Sequence, residues 1–230
     1  MKKDNDIIDA KYQFNESNDE CFIGSDEFLK KLDDSIDKQE VFDRFLTYRR
    51  RMARLAAVQA LYLYDFRLTK QNKDGTDIFG KNTSVDPLEL CQNVIYFYKN
   101  VFFTQQEYGF TRKNKKLDEN FMFELVSTAI SSIDEVDGFI QGHLSGNWTT
   151  AGLDYILRAI IRCAIAELLL GVKIEKAVLC SEYTNLAGNF FGPKEIGFIN
   201  GIVDKLYGSV LKLHPFIDRK VVNTEIVDDE

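Results

Sequence analysis

The sequence predicts an all-α fold, and three observations support this prediction. Apolar residues recur at intervals of three and four along much of the chain, most regularly from 151 to 170, which is the spacing of a helical face. The prolines, Pro87, Pro193 and Pro215, stand at the edges of such segments, where a helix tolerates them. No useful run alternates apolar and polar residues as a half-buried strand does, so we exclude βαβ folds and expect a helical bundle.

The helices of the amino-terminal half follow an acidic stretch in which residues 28–36 form one short amphipathic helix or none. Asp86 and Pro87 predict a helix start, because Asp caps the first turn and Pro fits it. From 117 to 144 the apolar spacing fits one long helix or two shorter ones. The predicted helices of this half cover 49–66, 86–103 and 117–144, with loops at 68–85 and around 112–116.

The carboxy-terminal half contains the strongest periodic signal. Isoleucine, leucine and alanine recur at near-heptad intervals from 151 to 170, and we expect this segment to be the central core helix. Asp154 and Arg158 stand four apart in the orientation that favours a pair on one helix face. Two further helices are predicted at 175–189 and 194–213, separated by Gly192-Pro193, which brings the expected number to about seven.

The acidic residues concentrate at the two ends of the chain. Residues 1–44 hold 13 Asp and Glu against 7 Lys and Arg, residues 218–230 hold 5 against 2, and residues 45–217 hold 18 against 20. We therefore expect a partly disordered acidic extension at 1–44, a folded domain at 45–217 and an acidic tail at 218–230. The net charge of −7 thus leaves room for a local cationic site in the middle.

We expect a cytoplasmic protein with no membrane segment and no cofactor. The apolar runs fall short of the roughly 18–20 residues that span a bilayer, and the amino terminus leads into no apolar signal segment. The four cysteines are then expected to stay reduced. Their wide spacing, with only His143 and His214 beside them, predicts no zinc site.

The common catalytic signatures are absent from the sequence. No phosphate-binding glycine motif and no Gly-x-Ser-x-Gly occurs, and two histidines leave little acid–base capacity near neutral pH. His143 is expected to pack or cap at a helix end. Glu167, embedded in apolar residues, is expected to bond to a helix terminus or to a neighbouring arginine. A protein that is not an enzyme is the favoured interpretation.

An arginine cluster stands at the start of the first predicted helix. Beyond it, Leu55–Phe66 is apolar nearly all round, with Gln59 and Asp65 as its clearly polar residues, so this part must be deeply packed. If the helix begins near Thr47, the arginines occupy exposed first turns, where backbone N–H groups and guanidinium groups together favour an anion. A solvated cluster, or one folded against the acidic extension, fits the same residues. The cluster consists of Arg49, Arg50, Arg51 and Arg54, four arginines within six positions.

Three blocks of sequence occur in a characteristic order over roughly residues 46–213. They are Arg50–Arg54 with Ala57–Tyr62; Phe121–Val126, Ile133-Asp134, Asn147-Trp148, Leu153-Asp154, Ile156–Arg162 and Glu167-Leu168; and Lys176–Glu182, Leu186-Ala187 and Phe198–Lys205. In order and spacing these blocks resemble the NusB family of bacterial transcription antitermination factors. The resemblance covers about three quarters of the chain.

The resemblance implies a NusB-like fold of two packed three-helix subdomains and a function without catalysis. Family members pair with NusE, a ribosomal small-subunit protein, and bind the single-stranded boxA element of ribosomal RNA transcripts within the elongation complex. By position, the resemblance makes Arg50, Arg51 and Arg54 the RNA contacts and Tyr62 and Lys194 flanking contacts. Single-stranded RNA offers phosphates and unstacked bases to such side chains. Residues 45–217 would then be the RNA-binding domain.

Two other functions are compatible with parts of this sequence. One is the NusB-like module fused to ribosomal RNA methyltransferases, which is disfavoured because no Rossmann-type catalytic domain follows in this chain. The other is an all-helical enzyme that binds a small anion, with Arg158 and Arg162 turned inward beside Glu167. Such an enzyme should bury these arginines around a polar pocket, whereas a binding factor should hold them in ion pairs between helices and leave Arg50, Arg51 and Arg54 exposed.

Overall fold

The described part of the chain is entirely helical in its regular structure. The computed structural model describes residues 38–69, 85–102, 117–171 and 173–214, and within these ranges there are seven α-helices and no β-strand. The predicted all-α class is therefore confirmed. The extension up to residue 37, most of the predicted loops at 68–85 and 112–116, and the acidic tail at 218–230 lie outside the described residues, so the proposed domain boundaries stay predictions.

The seven helices are numbered in chain order. They are α1 Lys38–Thr69, α2 Pro87–Phe97, α3 Glu119–Ser131, α4 Ile133–His143, α5 Tyr155–Leu169, α6 Lys176–Ala187 and α7 Pro193–Leu213. A π-helical turn, Tyr98–Phe102, continues α2, and a 3₁₀ turn, Thr150–Gly152, precedes α5. The segment at 117–144 is therefore two helices, and Ser132 separates them.

Aspartates begin three of the helices, as their sequence context dictates. Asp86 accepts a hydrogen bond from the backbone N–H of Leu88 and precedes a proline at the start of α2, which confirms the predicted start. Asp118 caps α3 by accepting from the N–H of Phe121. Asp154 caps α5 by accepting from the N–H groups of residues 156 and 157. Each carboxylate satisfies amide groups that have no partner inside the helix.

The helices pack in two groups that share a long contact between α1 and α5. The first group is α1, α2 and α3, and the second is α5, α6 and α7 with the short α4 beside them. Between the groups, α5 packs on both α1 and α3. The expected two-subdomain arrangement of three helices each is thus present, with α4 added to the second group.

Helix α5 lies at the centre of the core. Every residue from Leu157 to Leu168 is buried, and Gly171 then ends the segment with a φ of 73°, a left-handed conformation that glycine adopts without strain. Although α5 is mostly apolar, no helix among the described residues is long and apolar enough to cross a bilayer. The three charged residues inside α5 must therefore have partners within the protein.

Shortening a central side chain of α5 should destabilise the fold. Ile160 and Ile161 are fully buried, so replacing either by Ala should lower the free energy of unfolding by about 2–5 kcal/mol, through lost burial and an unfilled cavity. Urea denaturation measures this directly. Val178→Ala, at an exposed position of α6, is the control and should change the value by no more than about 0.5 kcal/mol. Losses below about 1 kcal/mol at both isoleucines would place α5 outside the core.

Candidate functional site

A buried ionic group joins the arginine-rich part of α1 to α5 and α6. Nε and Nη2 of Arg54 donate to the two carboxylate oxygens of Glu167 at 2.8 and 2.6 Å, and its Nη1 donates to Glu182 at 3.1 Å. The hydroxyl of Tyr183 donates to Glu167 at 2.8 Å. Arg51 donates to Glu182 through Nε and Nη2 at 2.8 to 3.1 Å. We call these five residues the Glu167 cluster.

Charge is balanced inside the Glu167 cluster, because two guanidinium groups face two carboxylates. Burial alone would lower the pKa of Arg54, but the hydrogen bond and the charge of Glu167 outweigh it and raise that pKa above its ordinary value. Burial and the adjacent Glu167 carboxylate also raise the pKa of Tyr183 well above its ordinary value. Arg54 is therefore charged and Tyr183 neutral at any physiological pH. The neutral Tyr183 hydroxyl donates a hydrogen bond to the Glu167 carboxylate.

A second ionic group lies toward the opposite end of the contact between α1 and α5. Asp65 accepts from Nε of Arg158 at 2.9 Å and from Nη1 of Arg162 at 2.8 Å. Arg162 also donates to both oxygens of Asp137 on α4 at 2.7 Å, and Arg158 donates to the carbonyl oxygen of Thr150 at 3.1 Å. We call Asp65, Asp137, Arg158 and Arg162 the Asp65 cluster.

The Asp65 cluster bears on the idea of a buried anion-binding enzyme. Arg158 and Arg162 are buried, and the guanidinium of each forms ion pairs with carboxylates of other helices. This is the arrangement expected of a binding factor. The expected pair between Arg158 and Asp154 is wrong, because Asp154 caps α5 instead. The expectation that Glu167 bonds to an arginine is confirmed, with Arg54 as the partner.

Arg50 is held at the junction of α1 and α3. Its guanidinium carbon lies 4.3 Å from the centre of the Phe121 ring, and its Nε lies 3.4 Å from a carboxylate oxygen of Asp118. The backbone N–H of Asp118 donates to the carbonyl oxygen of Arg49 at 3.3 Å, which ties the start of α3 to α1. The side chain of Arg50 keeps 30% of its surface exposed, so one part of it still faces water.

Arg51 is the most exposed member of the arginine cluster. Its side chain is 56% exposed although it pairs with the buried Glu182. The hydrogen bonds that Arg51 donates to Glu182 are the main cause that raises the pKa of Arg51. Arg50 and Arg51 thus present cationic surface next to each other on α1, while Arg54 lies beneath them.

Two predictions about the arginine cluster are wrong. Arg54 is not on open surface, because its spacing from Val58, Leu61 and Asp65 places it on the buried face of α1, where it is 6% exposed. The cluster is also not at a helix amino terminus, because α1 already includes Lys38. The dipole and the unpaired N–H groups of a helix end act only within the first turn, so they contribute nothing here.

The two predicted flanking residues lie on α1 and on α7. Tyr62 is half-buried, with its ring centre 6.3 Å from those of both Phe66 and Tyr155. It follows Arg51 by eleven positions on the same helix, which is about 16 Å along the axis. Lys194 is exposed in the first turn of α7. The structure therefore brings Arg50, Arg51 and Arg54 together but does not place Tyr62 in their immediate group.

His143 has the structural role expected of it. One ring nitrogen lies 2.8 Å from the carbonyl oxygen of Phe139, and the other lies 2.8 Å from the hydroxyl of Ser209. The described residues contain no group of three metal-binding side chains. Cys91 and Cys163 are buried, and burial raises the pKa of the Cys91 thiol to about 12, so that thiol is not reactive.

Sequence reasoning did not assign the acidic partners of the arginines. Glu182 and Asp118 lie 131 and 68 positions from the arginines that they contact, so no local spacing reveals the pairs. A signal existed at Asp65, because a carboxylate in an otherwise apolar helix needs a buried cation. The same logic applies to the two arginines of α5, whose positions fall on its buried face.

Comparison with known proteins gives a consistent result. The model of the NusB family matches residues 51–208. The transcription antitermination protein NusB of Rickettsia felis is 30% identical over 166 residues, which are 69% of this chain and 90% of that protein. The solution structure of NusB from Aquifex aeolicus is 25% identical with a TM-score of 0.50, covering 77% of this chain and 99% of that one. A chain in the crystal structure of the antitermination factors NusB and NusE in complex with double-stranded RNA is 24% identical and covers 70% of this chain and 97% of its own. Its TM-score is 0.49, and at that score the likeness adds nothing to the assignment.

Removing Arg54 from the Glu167 cluster should destabilise the protein strongly. Arg54→Ala leaves Glu167 buried with only Tyr183 as a partner, so we expect the free energy of unfolding to fall by about 3–5 kcal/mol, measured by urea denaturation. Arg67→Ala removes an arginine from the same helix whose pair with Glu89 is partly exposed, and it should cost less than about 1 kcal/mol. Equal, small losses for both variants would show that the Glu167 cluster contributes no more than a surface ion pair.

Proposed function

The chain belongs to the NusB family, and we propose that it is an antitermination factor that binds single-stranded RNA through the exposed arginines of α1. The observation that carries this proposal is the geometry of Arg50 and Arg51. Both are fixed to the body of the protein by carboxylates, and both still keep part of the side chain exposed. Two neighbouring, oriented cations on a rigid helix suit the phosphates of an extended strand.

Arg54 has a supporting role in this proposal. Its side chain is enclosed by Glu167 and Glu182, so contact with RNA would require breaking buried ion pairs. We therefore assign to Arg54 the task of fixing α1 against α5 and α6, and we leave direct contact to its two neighbours. Tyr62 and Lys194 remain proposed flanking contacts, because the ring of one can stack on a base and the exposed ammonium of the other can meet a phosphate.

The partners are proposed from family membership. We propose boxA-type RNA as the ligand, NusE as the protein that binds it jointly, and the transcription elongation complex as the setting. No catalytic step and no cofactor enter the proposal. The cytoplasmic location expected from the sequence remains a prediction and follows from action on nascent transcripts.

Coverage of the relatives favours a factor over a module of a larger enzyme. The matched region of the Rickettsia felis protein is 90% of that protein, which is named as an antitermination factor and not as a methyltransferase. Arg158 and Arg162 also donate to carboxylates within the protein, so their guanidinium groups are not available to bind a small anion. Both alternatives are therefore less well supported than the RNA-binding factor.

Loss of the two exposed arginines should weaken RNA binding. We expect the double variant Arg50→Ala/Arg51→Ala to bind a boxA-type RNA less tightly in fluorescence anisotropy with NusE present. Single-stranded RNA releases about 0.7 counterion per neutralised phosphate, so the slope of log affinity against log salt should flatten by roughly 1.4 if each arginine meets one phosphate. Contacts to bases would instead reduce sequence preference and change the slope less.

Arg67→Ala is the matched control, since it removes one arginine of α1 that lies far from the cluster. It should leave affinity and slope unchanged. Circular dichroism verifies that each variant is folded. If the folded double variant kept the affinity and salt slope of the native chain, the RNA-binding role of these arginines would be refuted.

A further inference from the structure

The guanidinium of Arg51 uses only one of its edges inside the protein. Its Nε donates to both oxygens of Glu182 at 2.9 and 3.1 Å, and its Nη2 donates to one of them at 2.8 Å. A guanidinium carries five N–H groups in a fixed plane, so the Nη1 and Nη2 edge remains for another acceptor. No hydrogen bond joins Nη1 of Arg51 to a residue that the structure describes.

The free edge of Arg51 faces water, because the side chain is 56% exposed whereas that of Glu182 is 8% exposed. The carboxylate lies on the protein side of the guanidinium, and the remaining donors lie on the solvent side. Two parallel N–H groups on one edge match the spacing of two phosphate oxygens. Arg51 is thus placed between a buried carboxylate and any anion that approaches α1.

Glu182 is itself firmly held. It accepts from Nη1 of Arg54 at 3.1 Å, and Arg54 is locked to Glu167 through two further hydrogen bonds. A continuous series of contacts therefore runs from the core helix α5, through Arg54 and Glu182, to the exposed Arg51. Such a series restricts the rotamers of Arg51 before any ligand arrives.

We infer that Glu182 is a positioning residue for RNA binding, which holds Arg51 with its free guanidinium edge turned toward the phosphate. This inference rests on the proposed function and names the residue that orients its principal contact. A long, flexible side chain loses conformational entropy when it binds, and a side chain that is already fixed loses less. The hydrogen bonds that Arg51 donates to Glu182 also raise the pKa of Arg51 above its ordinary value.

The negative charge of Glu182 opposes this benefit only weakly. A carboxylate behind the guanidinium repels a phosphate in front of it, but Arg54 also contacts Glu182 and compensates its charge. The cluster as a whole is neutral with Arg51 included, so the field at the free edge comes mainly from the near guanidinium. Orientation therefore outweighs repulsion.

A double-mutant cycle on RNA affinity tests the inference. In the full-length protein with NusE and a labelled boxA-type RNA, Glu182→Gln should weaken binding about fivefold. In the Arg51→Ala background the same substitution should have no further effect, because the side chain that it orients is gone. Glu175→Gln is the charge-matched control at the exposed N-cap position of α6, seven residues before Glu182, and it should not weaken binding.

A second variant covers the case in which Glu182→Gln does not fold. Arg51→Lys keeps the positive charge at an exposed position, yet an ammonium cannot present one edge to Glu182 and another to a phosphate. It should weaken binding about fivefold with an unchanged salt slope, and native affinity for Arg51→Lys would overturn the inference.

The remaining outcomes separate this inference from the proposed function. Native or increased affinity for Glu182→Gln would overturn the inference, and so would an undiminished loss in the Arg51→Ala background, since the effect would then pass through the fold. If the Arg50→Ala/Arg51→Ala variant bound RNA as the native chain does, the proposed function would fail first and the inference with it.

Discussion

The structure depends on the pairing of the antiparallel helices α1 and α5 by two ionic clusters. In one cluster α1 supplies the positive charge, and in the other it supplies the negative charge. Helix α1 supplies an arginine at one end of the contact and an aspartate at the other, and α5 supplies the complementary glutamate and arginines. Arg54 and Asp65 are eleven residues apart, about 16 Å along α1, so the two clusters fix both the direction and the register of the helices. A shift by one turn would leave charges buried without partners at both ends, which is strongly unfavourable.

The same pairing determines which cations reach the surface. Because Arg54 is used to join α1 to α5 and α6, the two arginines just before it in the sequence, Arg50 and Arg51, are the ones that keep exposed side-chain surface. Asp118 and Phe121 fix Arg50 from α3, and Glu182 fixes Arg51 from α6. The buried polar contacts that specify the packing of the core thus also orient the exposed arginines, so stability and binding share one set of residues.

Much of the helical architecture could be predicted from the sequence, because local patterns determine it. The Asp86-Pro87 start and the apolar spacing around Ile160 act within a few residues and led to correct helices. The start of α1 was missed, since the composition of the acidic stretch indicated a solvated arm although Lys38, Gln39 and Glu40 are good helix formers.

The candidate site was less predictable than the fold, because its pairs are distant in sequence. Arg54 shares its helical face with Val58 and Leu61, and that spacing alone indicates burial. Its partners Glu167 and Glu182 lie more than a hundred positions away, and only the tertiary structure brings them to it. A charged residue such as Arg54 therefore cannot be assumed to be exposed, because a buried residue of opposite charge that is distant in sequence can pair with it.

The coupling energy between Arg54 and Glu167 tests the central claim most directly. It is obtained from the free energies of unfolding of the native chain, Arg54→Met, Glu167→Leu and the double variant. We expect each single variant to lose several kcal/mol and the double variant to lose less than their sum by at least about 2 kcal/mol, because removing both charges leaves no unpaired ion in the core. Additive losses within about 0.5 kcal/mol would contradict the account, because they would show that the pair of Arg54 and Glu167 does not couple α1 to α5.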